Sequence, residues 1–242
     1  MGTLQEERRD TDLEGELRLF NSQEYYKMGE IEVLGRGDEL LGGVVYVRGL
    51  DKPWHWTVDD YHKMVDAGIL RQDERTELIE GEIIKLAPIG PEHRAAMSRL
   101  TRLLIKLEES FGDHYNVLPE SPIRLSNDAE PQPDVAVVYG TQADYDHRHP
   151  SPSDVRLIVE VSNSSVRRDR TKKYKIYAQM GIPEYWIVNL IGDVVEVYRE
   201  PSGSGFGHRT VSDRQSSISP LFAPNVSIRV VDILPTQVPI KE

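Results

Sequence analysis

Apolar positions along the chain switch between two spacings. After Trp54, Thr57 precedes Asp60 by three residues, and Tyr61, Met64 and Val65 form an apolar stripe that stops at Gly68, which predicts a short capped helix. ELIEGEIIKL places Leu78, Ile79, Ile83, Ile84 and Leu86 around Gly81 and reads as two short strands joined by a turn. From Pro91, residues Ala96, Leu100, Leu103, Leu104, Leu107 and Phe111 recur at three- and four-residue spacing up to Gly112, which predicts a long helix. Its outward side carries Arg94, Arg99, Arg102 and Lys106, a basic face read as solvated. The pattern then becomes that of strands: HYNVLP, SPIRL, DVAVVY and RLIVEVS, the last an apolar run of the kind found inside a sheet. RRDRTKKYKIYAQMG returns to helical spacing, with Tyr174, Tyr177 and Ala178 inward and Gly181 as the stop. EYWIVNL and DVVEVYRE follow as a strand pair, PSGSGFG as a flexible loop, and the chain from Ser216 as one closing strand with a loose end. The order helix, strands, helix, strands predicts an α/β chain built on a mixed sheet flanked by helices.

Composition narrows the chemistry. The 242 residues suit one main domain, expected over residues 52–235, with an acidic N-terminal appendage over 1–51 and a loose tail over 236–242. Lys plus Arg is 29 against 40 Asp plus Glu, a formal charge of −11, which argues against indiscriminate coating of nucleic acid. There is no cysteine, so a disulfide framework, a Cys-ligated zinc, an iron–sulfur cluster and a thiol nucleophile are all excluded. No stretch approaches the roughly 20 apolar residues of a membrane span, and MGTLQEERRD lacks the basic-then-apolar order of a secretory signal. A cytoplasmic protein with no membrane partner is the expectation.

Two acids interrupt apolar strands. Asp134 opens one directly after Pro133, and Glu160 sits inside LIVEV. A carboxylate on a central strand is costly to bury unless it is paired, protonated or holding a cation. Two of them on neighbouring strands point to a hard-metal site, for which oxygen ligands favour magnesium or manganese. The alternative is a solvated strand end or an arginine partner. From Arg167 to Lys175 the chain adds Arg167, Arg168, Arg170, Lys172, Lys173 and Lys175 against Asp169 alone. That patch would neutralise a phosphodiester, or else form a solvated helix face with Asp169 and Lys173 as an i,i+4 pair; spacing alone leaves both open. His147 and His149 in DYDHRHP read as a solvated loop rather than a transition-metal site, because no second ligand cluster of suitable spacing accompanies them.

QPDV, IVEVS and DRTKKYKIYAQMGIPEYWIV, preceded by WTVDDYHKMVDAGIL and ELIEGEIIKLAPIGPEH, closely resemble the Uma-two family within the PD-(D/E)XK nuclease superfamily, from about Trp54 to Tyr198. The resemblance implies a restriction-endonuclease-like core and a metal-dependent endonuclease cutting DNA phosphodiesters. Asp134 and Glu160 match the two acids that hold magnesium, with manganese an alternative. The lysine usually found two residues beyond the second acid is absent, Ser162 standing there. In this family the lysine is expected on the following helix, where Lys173 fits best and Lys172 is the close alternative. His93, at the start of the long helix, would touch phosphate or metal or simply bond locally, and Glu77, ahead of Glu80, would add a further acid. Arg167, Arg168 and Arg170 are the expected substrate-binding cations. A homodimer would suit cutting of both strands, although no interface is legible. The competing expectation is a nuclease-like fold that binds nucleic acid or protein without cutting it.

Overall fold

Six strands cross the main sheet in the order of their sequence in this computed structural model, which describes residues 16–35, 38–47, 49–50, 52–71, 73–111, 114–163 and 165–236. They are Tyr115–Pro119, Val135–Tyr139, Val155–Ser162, Glu184–Asn189, Val194–Ser202 and Gly205–Asp213. Neighbours are antiparallel except Val155–Ser162 and Glu184–Asn189, which are parallel and so require a crossover. The helical stretch from Val166 to Gln179 makes it. The chain is therefore an α/β protein with a mixed sheet flanked by helices, as its pattern predicts.

Alternation along the strands divides the core in two. Val135, Val137, Leu157, Val159 and Val161 face Ala96, Met97, Leu100 and Leu104 of the long helix Pro91–Phe111. Ala136, Val138, Ile158, Tyr185 and Ile187 face Ile176 and Tyr177 of the crossover helix. Asp134 is in phase with Ala136, and Glu160 with Ile158, so both acids belong to the crossover-helix face. Val135 pairs with Val159 across the antiparallel junction, which puts the preceding Asp134 opposite Glu160.

A second layer closes the end of the sheet where these acids lie. The hairpin Thr76–Ile79 and Glu82–Lys85 turns at Glu80 and Gly81, which have φ of 49° and 74°. Two successive positive φ values are the requirement of a tight two-residue hairpin, and they fix the register that turns Glu77 inward. Thr57 caps the helix Val58–Asp66 through Asp60 as the spacing predicts. Residues ahead of Trp54 pack against the same layer: Leu17 pairs with Ile84, Phe20 and Met28 share a buried cluster with Met64, Leu78 and Ile83, and Arg18 bonds Glu24 and Glu74 at 2.6 and 2.9 Å.

Four local expectations are corrected. SPIRL is a loop, because Pro122 has no amide to give a ladder and the amides of Ile123 and Arg124 bond the carbonyls of Pro131 and Pro150 instead. PSGSGFG is the tip of a hairpin, with Pro201 opposite Phe206 and Ser202 opposite Gly205. Beyond Ser216 there are two short paired strands, Ser217–Ile218 and Ile228–Arg229, then a helical turn Val230–Ile233 that buries Ile233 and Leu234 beside the long helix. Arg99, expected to be merely solvated, bonds the Leu234 carbonyl and Thr236. Residues 1–15 of the acidic segment and 237–242 of the expected tail lie outside the described residues. Among the described residues no helix is long and apolar enough to cross a membrane.

Candidate functional site

The end of the sheet opens into a cleft of about 230 Å³ lined by Asp134, Glu160, Asp169, Lys173, His93 and Arg168, with Arg75, Gln132 and Ser165 at its walls. Each side chain arrives for a local reason. Asp134 and Glu160 come from adjacent strands on one face. The crossover helix changes to an i→i+5 turn over Asp169–Lys173, and Asp169, Lys173 and Tyr177, spaced by four, are all buried toward the sheet. Such widened turns recur at functional sites.

The contacts form a chain of charges. His93 Nε2 lies 2.8 Å from Asp134 Oδ1, and the Val161 amide donates to Asp134 Oδ2 at 2.7 Å. Glu160 Oε1 accepts from Lys173 Nζ at 2.9 Å and from the Tyr177 hydroxyl at 2.8 Å. The same ammonium lies 3.0 Å from Glu77 Oε2, which also accepts from the Gln132 amide at 3.3 Å. Ser162 and Ser165 donate to Asp169 Oδ2 at 2.6 and 2.8 Å. Among the described residues, Glu77 Oε1 and Asp169 Oδ1 are buried without a hydrogen-bond partner.

Electrostatics follow from this crowding. Burial pushes the Glu160 carboxyl up to about 8; the Lys173 ammonium opposes the rise, while Asp169, Asp134 and Glu77 reinforce it. Burial likewise raises Asp169 despite the pull of Lys173 and Arg168. Lys173, whose burial alone would favour the neutral amine, is held above its ordinary value by Glu160 and Glu77. Four carboxyl groups around Lys173 and Arg168 leave the cluster short of positive charge. Buried carboxylate oxygens without donors, together with an acid driven toward neutrality, suit a hard divalent cation, which prefers oxygen ligands.

The structure brings together Asp134, Glu160, Glu77, Lys173, His93 and Arg168, and separates others. Lys172 turns to Glu82, 2.6 Å away and outside the cleft. Arg170 turns to the buried Glu196 on the opposite flank of the crossover helix, and Arg167 is exposed. Sequence reasoning missed Arg75, the Gln132 contact and the inward position of Asp169. An acid four residues before an inward lysine and eight before Tyr177 was the available signal for Asp169, but spacing alone left open whether Asp169 and Lys173 form an ion pair on a solvated face. Arg75 gave no signal, since it enters the cleft only through the hairpin fold.

Comparisons with known proteins agree with this architecture. A family model described as "Uma2: Putative restriction endonuclease" matches residues 58–231, well over half of the chain. A crystal structure described as "a putative nuclease belonging to DUF820", from Anabaena variabilis, superposes with a TM-score of 0.59 at 17% identity, covering 74% of this chain and 97% of that one. At that identity the likeness is one of fold. No curated protein matches.

Proposed function

The chain belongs to the Uma2 family, and from that premise we propose that it is an endonuclease hydrolysing DNA phosphodiester bonds with magnesium, or manganese, held by Asp134 and Glu160. The observation that carries the reading is the cluster of buried carboxyls at one cleft, with Glu160 pushed up to about 8 and donor-less oxygens on Glu77 and Asp169. When bound, the cation would acidify a water to serve as nucleophile and neutralise charge building on phosphate.

The remaining work falls to the chain. Asp134 is oriented by His93 and by the Val161 amide, so its carboxylate is pre-set at the cleft edge. Lys173, rather than Lys172, takes the place of the lysine missing at Ser162: its ammonium is fixed by Glu160 and Glu77 and lines the cleft. A cation held there orients a nucleophilic water or stabilises the pentavalent phosphate, with no covalent intermediate needed. Ser162 has another duty, as donor to Asp169. Arg168 and Arg75, also at the cleft, are the cations placed to meet substrate phosphates. Glu77 completes the acid set by holding Lys173. Two such sites related by a two-fold axis would serve double-strand cutting.

Incubating plasmid and single-stranded DNA with magnesium or manganese tests this reading against EDTA controls and a folded Asp134→Asn, Glu160→Gln double variant. Metal-dependent cutting by the wild type that the double variant lacks is the expected result. A folded wild type that leaves every substrate intact contradicts it.

A further inference from the structure

A second constellation lies outside the acid cleft. His62 projects from the capped helix, Glu130 from the segment leading into the Asp134 strand, and His149 from the loop before Pro150. One ligand atom from each falls within 4.8 Å of the other two. His62 Nε2 is 2.7 Å from Glu130 Oε1, and the two imidazoles stand edge to face, 6.1 Å apart. Glu130 is 3% exposed, and among the described residues its Oε2 has no hydrogen-bond partner. A buried carboxylate half satisfied by one histidine and faced by a second is more than an ion pair requires.

We propose that His62, Glu130 and His149 form a zinc site with an open fourth position. The donor set decides the metal: two imidazole nitrogens and one carboxylate oxygen suit zinc or a similar transition ion, whereas magnesium takes oxygen ligands in an octahedron. Ligand atoms of a tetrahedral zinc with bonds of about 2.0–2.1 Å stand roughly 3.3 Å apart. Zinc would widen the 2.7 Å contact between His62 and Glu130 by about 0.6 Å and draw the exposed His149 toward them. His62 is partly exposed and His149 exposed, which leaves room for water at the fourth position. The buried Glu130 anchors the set. Its amide bonds the Leu78 carbonyl at 2.8 Å, and it lies four residues before Asp134. Zinc here would therefore clasp the capped helix and the loop before Pro150 to the two segments that carry Glu77 and Asp134.

Sequence spacing hides this site, since the hairpin, the long helix and the first two strands of the main sheet separate the first and last ligands along the chain. The test uses tag-free, chelator-stripped full chain, titrated calorimetrically with zinc, and with cobalt(II) as a visible-absorption probe. The wild type is expected to bind one zinc that raises its melting temperature, and to give a tetrahedral cobalt spectrum. His149→Ala, which removes an exposed side chain, and His62→Ala each should weaken zinc by more than about 100-fold, above the roughly 10–100-fold that loss of an outer hydrogen-bond partner costs. His147→Ala and Glu160→Gln should leave affinity within about twofold of wild type, which separates this site from the acid cleft. Zinc affinity unchanged in His149→Ala, loss of binding in Glu160→Gln with retention in His149→Ala, or no zinc binding by the wild type would each overturn the proposal.

Discussion

The triplet Val-Glu-Val occurs twice in the main sheet, at Val159–Val161 and Val195–Val197. Glu160 and Glu196 pair from opposite sides with the same residue, Ile187, so they lie in one row on one face. Their environments drive them in opposite directions. Glu196, although burial pushes it upward, is held down at about 2 by hydrogen bonds from Arg170, Tyr198, Arg209 and Asn189. Both of its oxygens are engaged, with Tyr198 at 2.6 Å and Arg209 at 2.8 Å on Oε2 and Asn189 at 3.1 Å on Oε1, beside Arg170 on both. Glu160 meets one shared lysine and one phenol, both on Oε1, amid three other acids, and is pushed up to about 8. Identical local sequence thus supports a fully paired anchor in one strand and a poorly compensated acid in another. The difference lies in the partners: forked arginines satisfy a carboxylate fully, while a single ammonium divided between Glu160 and Glu77 leaves charge to be compensated.

Exchanging each acid for its amide breaks the comparison most sharply. Glu160→Gln should lower metal-dependent cleavage by about 10²–10³-fold, the scale of losing one electrostatic contributor at an active site. Its stability at neutral pH should be no lower than that of the wild type, because the amide replaces a carboxyl that burial already holds toward its neutral form. Glu196→Gln should do the reverse, costing about 3 kcal/mol in chemical denaturation by leaving Arg170 and Arg209 without their carboxylate. Its cleavage rate per folded molecule should equal that of the wild type.

Acidity offers a second contrast. The folded chain holds a proton on Glu160 from the ordinary value of 4.5 up to about 8, where the unfolded chain has released it. That contribution to stability is complete below 4.5 and lost as pH rises toward 8, at a slope of up to about 1.4 kcal/mol per pH unit. Glu196 stays ionised from 4.5 down to about 2, where the unfolded chain takes up a proton, so its contribution is complete above 4.5 and lost as pH falls. Denaturation of the metal-free protein across pH should show the first slope vanish in Glu160→Gln and the second vanish in Glu196→Gln. Magnesium added at pH 6–7 should release a proton from the wild type, read as a dependence of calorimetric heat on buffer ionisation enthalpy.

Smaller effects sharpen the picture. Tyr177→Phe removes one donor from Glu160 and should cost about 1 kcal/mol in unfolding experiments. Asp169→Asn removes a neighbour that raises Glu160, so infrared titration should find the Glu160 carboxyl ionising at lower pH than in the wild type.

Much of the frame was legible from the chain. The capping pair Thr57 and Asp60, the hairpin about Gly81 and the helix from Pro91 are local patterns, and local periodicity predicts them. Asp134 and Glu160 stood out as acids interrupting apolar strands. By the same rule Glu196 was equally conspicuous, yet it passed unremarked, and Arg170, expected at a phosphate, is its partner. Those pairings were hidden because they depend on which flank of the crossover helix meets which strand, and the widened turn over Asp169–Lys173 sets that. The triad of His62, Glu130 and His149 was hidden for a similar reason: three segments distant in sequence converge, and His149 alone resembles a loop residue.

Plasmid cleavage in magnesium or manganese by the wild type, Glu160→Gln and Glu196→Gln at equal folded concentrations tests the account most directly. It predicts cutting by the wild type and Glu196→Gln, with Glu160→Gln nearly inert though folded. Equal cutting by all three, or loss in Glu196→Gln with activity kept in Glu160→Gln, would contradict it.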